Sequence, residues 1–131
     1  MIGVVVVTHG DVGAAMIDAL HGLVGETRGF EAVSVGPGEP RESVSARVHA
    51  ARARADDGQG VILCCDLFGS TPGNCVSAEA CDPHVTVLFG VSLPMLVKLA
   101  SSDRTHGDPA TLARQAADTA LRSIRLEVRE P

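Results

Sequence analysis

The chain has 131 residues, a formal net charge of −5, and three aromatic side chains, all phenylalanine. Its length suits one domain, residues 1–131, around a single core. An acidic balance without Trp or Tyr offers neither the basic face that phosphate backbones need nor stacking platforms for bases, which argues against a nucleic-acid partner.

The first element, IGVVVVT from Ile2 to Thr8, is short, continuous and Val-rich, as a buried strand is. It has no charged lead and no small-residue cleavage site, and it is too short to span a bilayer. A cytoplasmic protein without membrane insertion is expected. From Asp11 a helix begins, with Val12, Met16, Ala19, Leu20 and Leu23 on one face and Gly25 as its stop. FEAVSV is a second strand and ends in the turn GPGEP. Arg41 to Ala55 reads as a helix with Val44, Val48, Ala51 and Ala55 on one stripe.

After the loop DDGQG, VILCC is a third strand, continuously apolar and so central. It carries Cys64 and Cys65. With Cys75 and Cys81 they make four cysteines, none in a C-x-x-C pair. Reduced, mostly buried thiols are expected, with no metal and no other cofactor. DLFGSTPGN is a loop, followed by a short helix over about residues 74–80 and a fourth strand, HVTVLF. GVSLPMLVKLA gives a loop and a helix opening near Pro94. Asp108-Pro109 starts the last helix, with Leu112, Ala116, Ala120 and Ile124 down one face. IRLEVR alternates apolar and charged residues, as an edge strand does. This alternation of strands and helices implies an α/β fold: a predominantly parallel sheet between two helical layers.

In such folds function gathers at the carboxyl ends of the strands. Strand one ends in Thr8-His9-Gly10, strand three in Asp66 and the loop Phe68-Gly69-Ser70-Thr71-Pro72, strand four in Gly90 to Pro94. Singly, each has an ordinary structural reading: a hydrogen-bonding histidine, a capping aspartate, a turn. Together, with strands one and three as neighbours or near neighbours, His9 and Asp66 would face one crevice, and a site for phosphoryl transfer is expected there. A neutral imidazole is a nucleophile near pH 7, and a carboxylate on one ring nitrogen fixes the tautomer and leaves the other nitrogen free to attack. The amides of the loop and the hydroxyls of Thr8, Ser70 and Thr71 would cradle the phosphoryl oxygens. His21, His49, His84 and His106 have no such setting and are read as incidental. No P-loop or dinucleotide fingerprint is present, and Lys98 is the single lysine.

The stretches VVVTHGDVGAAMIDA, GEPRES, VILCCDLFGSTPGN and GVSLPMLVKLA resemble, over nearly the whole chain, the IIA component of the mannose (mannose–fructose–sorbose) family of the bacterial phosphoenolpyruvate:sugar phosphotransferase system. The resemblance implies a phosphotransferase component with a phosphohistidine intermediate. His9 would be phosphorylated on Nε2 by the phosphocarrier HPr, itself charged through enzyme I. Asp66 would hold the ring, and Phe68 to Thr71 would line the phosphate site. It further implies a three-layer sandwich with an antiparallel C-terminal edge strand, here IRLEVR, exchanged between the subunits of a homodimer. An apolar rim of Phe68, Leu93, Pro94 and Met95 would meet HPr.

Two positions depart from the family pattern: Ser70 stands where a second glycine is usual, and Ser92 where asparagine is. No IIB domain follows within these residues, so a separate IIB protein is the expected acceptor. The same chemistry could instead serve a regulatory IIA that signals phosphorylation state, or the phosphoryl-donor subunit of a dihydroxyacetone kinase. A non-catalytic anion-sensing dimer is the reading that would not need His9.

Overall fold

The computed structural model describes residues 1–131. The elements run β1 (Gly3–His9), α1 (Val12–Val24), β2 (Phe30–Val35), α2 (Arg41–Ala55), β3 (Val61–Cys65), α3 (Thr71–Glu79), β4 (Val85–Phe89), α4 (Leu93–Ser101) and α5 (Pro109–Arg122). The four strands form one sheet in the order β2-β1-β3-β4, and every pairing is parallel. The fold is therefore α/β with three layers, as expected.

The valine run of β1 serves both faces of the sheet, because alternate strand residues point to opposite sides. Val5 and Val7 join a core with Val44, Val48 and Cys75 from α2 and α3. Ile2, Val4 and Val6 join a second core with Leu20, Leu96, Leu99 and Leu112 from α1, α4 and α5. A strand that feeds two cores has no polar face, which is why it reads as continuously apolar.

Arg104 pins the amino ends of the strands. It is 5% exposed; Nη1 donates to the Ile2 carbonyl at 2.9 Å and Nη2 to the Arg28 carbonyl. Its guanidinium also lies 4.8 Å from the centre of the Phe30 ring. At the other flank, Arg52 of α2 donates to Glu79 at 2.6 Å and to Asp82 at 2.9 Å. That pair of contacts ties α2 to the carboxyl end of α3.

Four expectations need correction. The buried face of α1 runs through Gly13, Met16, Ile17, Leu20 and Val24, while Val12 and Leu23 are exposed. Helix α3 begins at Thr71 rather than near residue 74, because the Ser70 hydroxyl accepts from the Gly73 N–H and Pro72 suits the first turn. Helix α5 ends at Arg122, so Ile124 lies beyond it and is exposed. Finally, IRLEVR is not a strand in the sheet: residues 124–131 form no regular structure and are exposed, and the sheet has no antiparallel edge. An alternating segment becomes a strand only when a neighbouring edge takes its backbone hydrogen bonds, and no edge of this chain does.

Candidate functional site

Parallel pairing brings the carboxyl ends of β1, β2 and β3 together, with His9 opposite Val35 and Val7 opposite Cys65. Asp66 follows β3 directly and turns back towards β1. Its Oδ2 accepts from the His9 N–H at 2.9 Å and lies 3.0 Å from the ring Nδ1 of the same residue. Its Oδ1 accepts from the Leu67 N–H at 2.8 Å. Burial disfavours the charge on Asp66, but the hydrogen bonds from the His9 N–H and ring outweigh it and hold the carboxyl below its usual range. Asp66 is thus ionised at neutral pH. An ionised carboxylate only accepts, so Nδ1 of a neutral His9 carries the proton and Nε2 carries the lone pair. The His9 side chain is 49% exposed, and no group of the chain hydrogen-bonds Nε2.

A cleft of about 380 Å³ opens beside His9, lined by Gly10, Val35, the β2–α2 loop from Gly36 to Glu39, Thr71 and Pro72. On its α3 side the cleft is lined by Thr71 and Pro72, and the Thr71 backbone N–H, at the helix amino end, has no acceptor within the chain. Phe68, Gly69 and Ser70, expected to line the phosphate site, are not among the residues that line this cleft. Gly69 takes φ +80°, a conformation that favours glycine, and so the loop can curl at the helix amino end. Free N–H groups at a helix amino terminus beside a nucleophilic ring suit the oxygens of a transferred phosphoryl group.

The hydroxyls divide differently from the sequence-based expectation. Thr8 is fully buried; its Oγ1 accepts from the Gly13 N–H at 2.7 Å and donates to the Gly10 carbonyl. It caps the start of α1, where Asp11 makes no side-chain cap. The Ser70 hydroxyl donates to the Leu67 carbonyl at 2.9 Å and accepts from Gly73. Both hydroxyls are spent on shaping the turns. Thr71 lines the cleft, and its hydroxyl has no partner in the chain. Ser92 caps α4 by accepting from the Met95 N–H.

Among the rim candidates, Phe68 is 80% exposed and packs edge-on against Phe89, with ring centroids 5.1 Å apart. Leu93 and Pro94 are half-buried. Met95 is 2% exposed and belongs to the core, so it lies beneath the surface it was expected to form. Pro94 and Met95 line a different groove, of about 540 Å³, between the end of β4 and α5. That groove holds no titratable side chain. Val12 and Leu67, both exposed, add apolar surface at the starts of the two segments that carry the site.

One wall of the cleft was missed from sequence. Glu39 accepts from the Ser43 hydroxyl at 2.7 Å, from the Gly36 N–H at 3.2 Å and from Arg47 Nη1 at 2.9 and 3.1 Å. These hydrogen bonds, that from Ser43 first, hold its carboxyl below the usual range. The signal was the GPGEP turn, which also ends a strand. Burial pushes the Cys64 thiol up to about 12 and that of Cys65, beside Asp66, up to about 11, so neither is a nucleophile at neutral pH. No three His, Cys, Asp or Glu side chains converge as a metal site. No helix is long and apolar enough to cross a membrane.

Residues 3–121 match the EIIA-man family, the fructose IIA component of the PTS system. The PTS system mannose-specific EIIAB component of Escherichia coli K12 is 32% identical over 98 residues, which are 74% of this chain and 30% of that protein. The chain therefore spans under a third of that relative. The PTS system fructose-specific EIIA component of Bacillus subtilis 168 is 29% identical over 102 residues, 77% of this chain and 70% of that one. Among solved structures, EIIA of the phosphotransferase system from Streptococcus agalactiae superposes with a TM-score of 0.86 at 21% identity, covering 95% of this chain and 96% of that one. The mannose/sorbose-specific IIA subunit from Enterococcus faecalis gives 0.84 at 20% identity, covering 99% and 98%. At these identities the structures establish a shared fold, and the family itself rests on the match over residues 3–121. The chain belongs to the EIIA-man family and is a mannose-family IIA component of the phosphotransferase system.

Proposed function

We propose that the chain is a phosphoryl carrier, in which Nε2 of His9 accepts a phosphoryl group from phosphorylated HPr and passes it to a separate IIB protein that serves sugar uptake. The observation that carries this is the contact of Nδ1 with ionised Asp66 on a His9 side chain that is half exposed and lines the cleft. Nε2 attacks phosphorus in line; the bond to the donor atom breaks as the Nε2–P bond forms, and the bonding pair leaves with the donor. No water is consumed. The His9 ring gains positive charge, which Asp66 balances. The N–H groups of Phe68 to Thr71 and the Thr71 hydroxyl meet the phosphoryl oxygens. No cationic side chain lines the cleft, which suits a group held briefly and handed on.

HPr would dock on Phe68, Leu93 and Pro94, at the loops that follow β3 and β4, an encounter small enough to be transient. A homodimer completed by exchange of Ile124 to Arg129 belongs to the same reading, as does a cytoplasmic location. The test is the intact mass after incubation with phosphoenolpyruvate, enzyme I and HPr. One acid-labile phosphate, absent in His9→Ala, supports the carrier; no phosphate on the parent overturns it. Loss of that phosphate on adding a IIB protein supports transport, and its persistence favours a regulatory acceptor.

A further inference from the structure

The cleft beside His9 contains an apparent contradiction. A site for a phosphoryl dianion has a carboxylate, Glu39, in its wall, and no cationic side chain lines it. Asp66 does not raise the same difficulty, because it is paired with the histidine itself. Glu39 is there to build the wall. Its two oxygens gather the Gly36 N–H, the Ser43 hydroxyl and Arg47, and so fold the β2–α2 loop onto the start of α2. A bare carboxylate in that place would repel the incoming phosphoryl group and favour the protonated, non-nucleophilic form of His9.

Arg47 answers both problems from behind the wall. Its Nη1 reaches both Glu39 oxygens and also donates to the Ser34 carbonyl of β2 at 2.8 Å, so the guanidinium is fixed by the sheet and by the loop. It does not line the cleft and so is not placed to bind phosphate directly. We propose that Arg47 is a positioning residue for phosphoryl transfer: by neutralising Glu39, it lets a dianionic group and a neutral His9 occupy the cleft that this carboxylate walls. This rests on the carrier reading for its rate consequence, but not for its effect on His9.

The experiment compares the parent with Arg47→Met, Arg47→Lys and the double variant Glu39→Gln/Arg47→Met. Each is checked by circular dichroism, then titrated by NMR at His9 and assayed for initial phosphorylation from phospho-HPr. Arg47→Met is expected to raise the His9 pKa by about half a unit or more and to slow phosphorylation about tenfold. Arg47→Lys should keep the rate within about threefold, since it keeps the charge. The double variant has also lost the ion pair, yet it should return the His9 pKa to near the parent value and be phosphorylated several-fold faster than Arg47→Met, the rate still missing being what the wall contributes by its shape. A double variant as slow as Arg47→Met, or a His9 pKa unmoved by Arg47→Met, overturns the proposal and leaves the pair a scaffold alone. If the parent takes no phosphate, the carrier reading fails separately, and the titration still decides whether Arg47 screens Glu39 from His9.

Discussion

Replacing Asp66 by asparagine tests the centre of the site. The carboxylate takes both the His9 N–H and the His9 ring on Oδ2, at 2.9 and 3.0 Å, and the Leu67 N–H on Oδ1 at 2.8 Å. Charge centres about 4 Å apart attract by about 4 kcal/mol at an effective dielectric of about 20. The ring is 49% exposed, so solvent screens part of this. About 2–3 kcal/mol then remains to stabilise the positive ring as the N–P bond forms, which is roughly 10²-fold in rate. Asparagine also has one acceptor oxygen for three donors on two sides. Whichever way the amide is turned, its NH₂ faces an N–H, so the ring loses its fixed orientation and the total loss extends to roughly 10²–10⁴-fold. The fold should survive at a cost of about 1–3 kcal/mol. Initial rates of phosphate transfer from phospho-HPr, followed by intact mass, measure this. A well-folded variant phosphorylated at the parent rate refutes the role given to Asp66.

Acid should destabilise the chain in a defined window. Asp66 titrates below its usual range because the His9 hydrogen bonds outweigh burial; Asp82 does so through the His84 N–H and Arg52, and Asp108 through the Thr111 N–H and hydroxyl. A folded pKa below the unfolded one gives stabilisation that is complete above an unfolded value of about 4 and is lost as pH falls through the folded values. The urea midpoint should therefore drop steadily below about pH 4, and an unchanged midpoint at pH 3 would contradict these assignments. Arg104→Met removes the donors of two carbonyls at the amino ends of the strands. It should cost about 2–4 kcal/mol in urea unfolding while changing the phosphorylation rate less than about twofold, because the site lies at the opposite ends of those strands. Gly73→Ala sets a Cβ 2.5 Å from the Leu67 carbonyl oxygen and 3.1 Å from Ser70 Oγ. The loop must shift, so stability should fall by about 1–3 kcal/mol and phosphorylation by about tenfold or more. A parent-like rate would show that the loop does not position the phosphoryl group.

The parallel sheet was legible because its strands are buried on both faces. Val4 and Val6 enter one core and Val5 and Val7 the other, so an unbroken apolar run was the right signal. His9 and Asp66 were legible because each directly follows such a run, and parallel strands put those ends side by side. The phase of α1 was not, since Val12 and Leu23 are exposed although their composition suits burial. The hydroxyls of Thr8 and Ser70 were assigned to phosphate because residue type shows that a hydroxyl is present, not what it bonds. In the structure both are spent on nearby N–H groups. IRLEVR carries a strand pattern, but a pattern does not supply the neighbouring edge.

By itself, then, the sequence determined the alternation of strands and helices, the ends at which chemistry could gather, and the histidine–aspartate pair. Those follow from local periodicity and from rules that hold for any parallel sheet. Only the tertiary structure decided which loops share the cleft. With β2 beside β1, Gly36 to Glu39 share a cleft with His9, and Arg47 holds Glu39 without lining it; with β4 at the far edge, Pro94 and Met95 line a separate groove. Strand order is a property of how crossovers pack. No single segment's periodicity carries it, because every buried parallel strand presents the same apolar pattern.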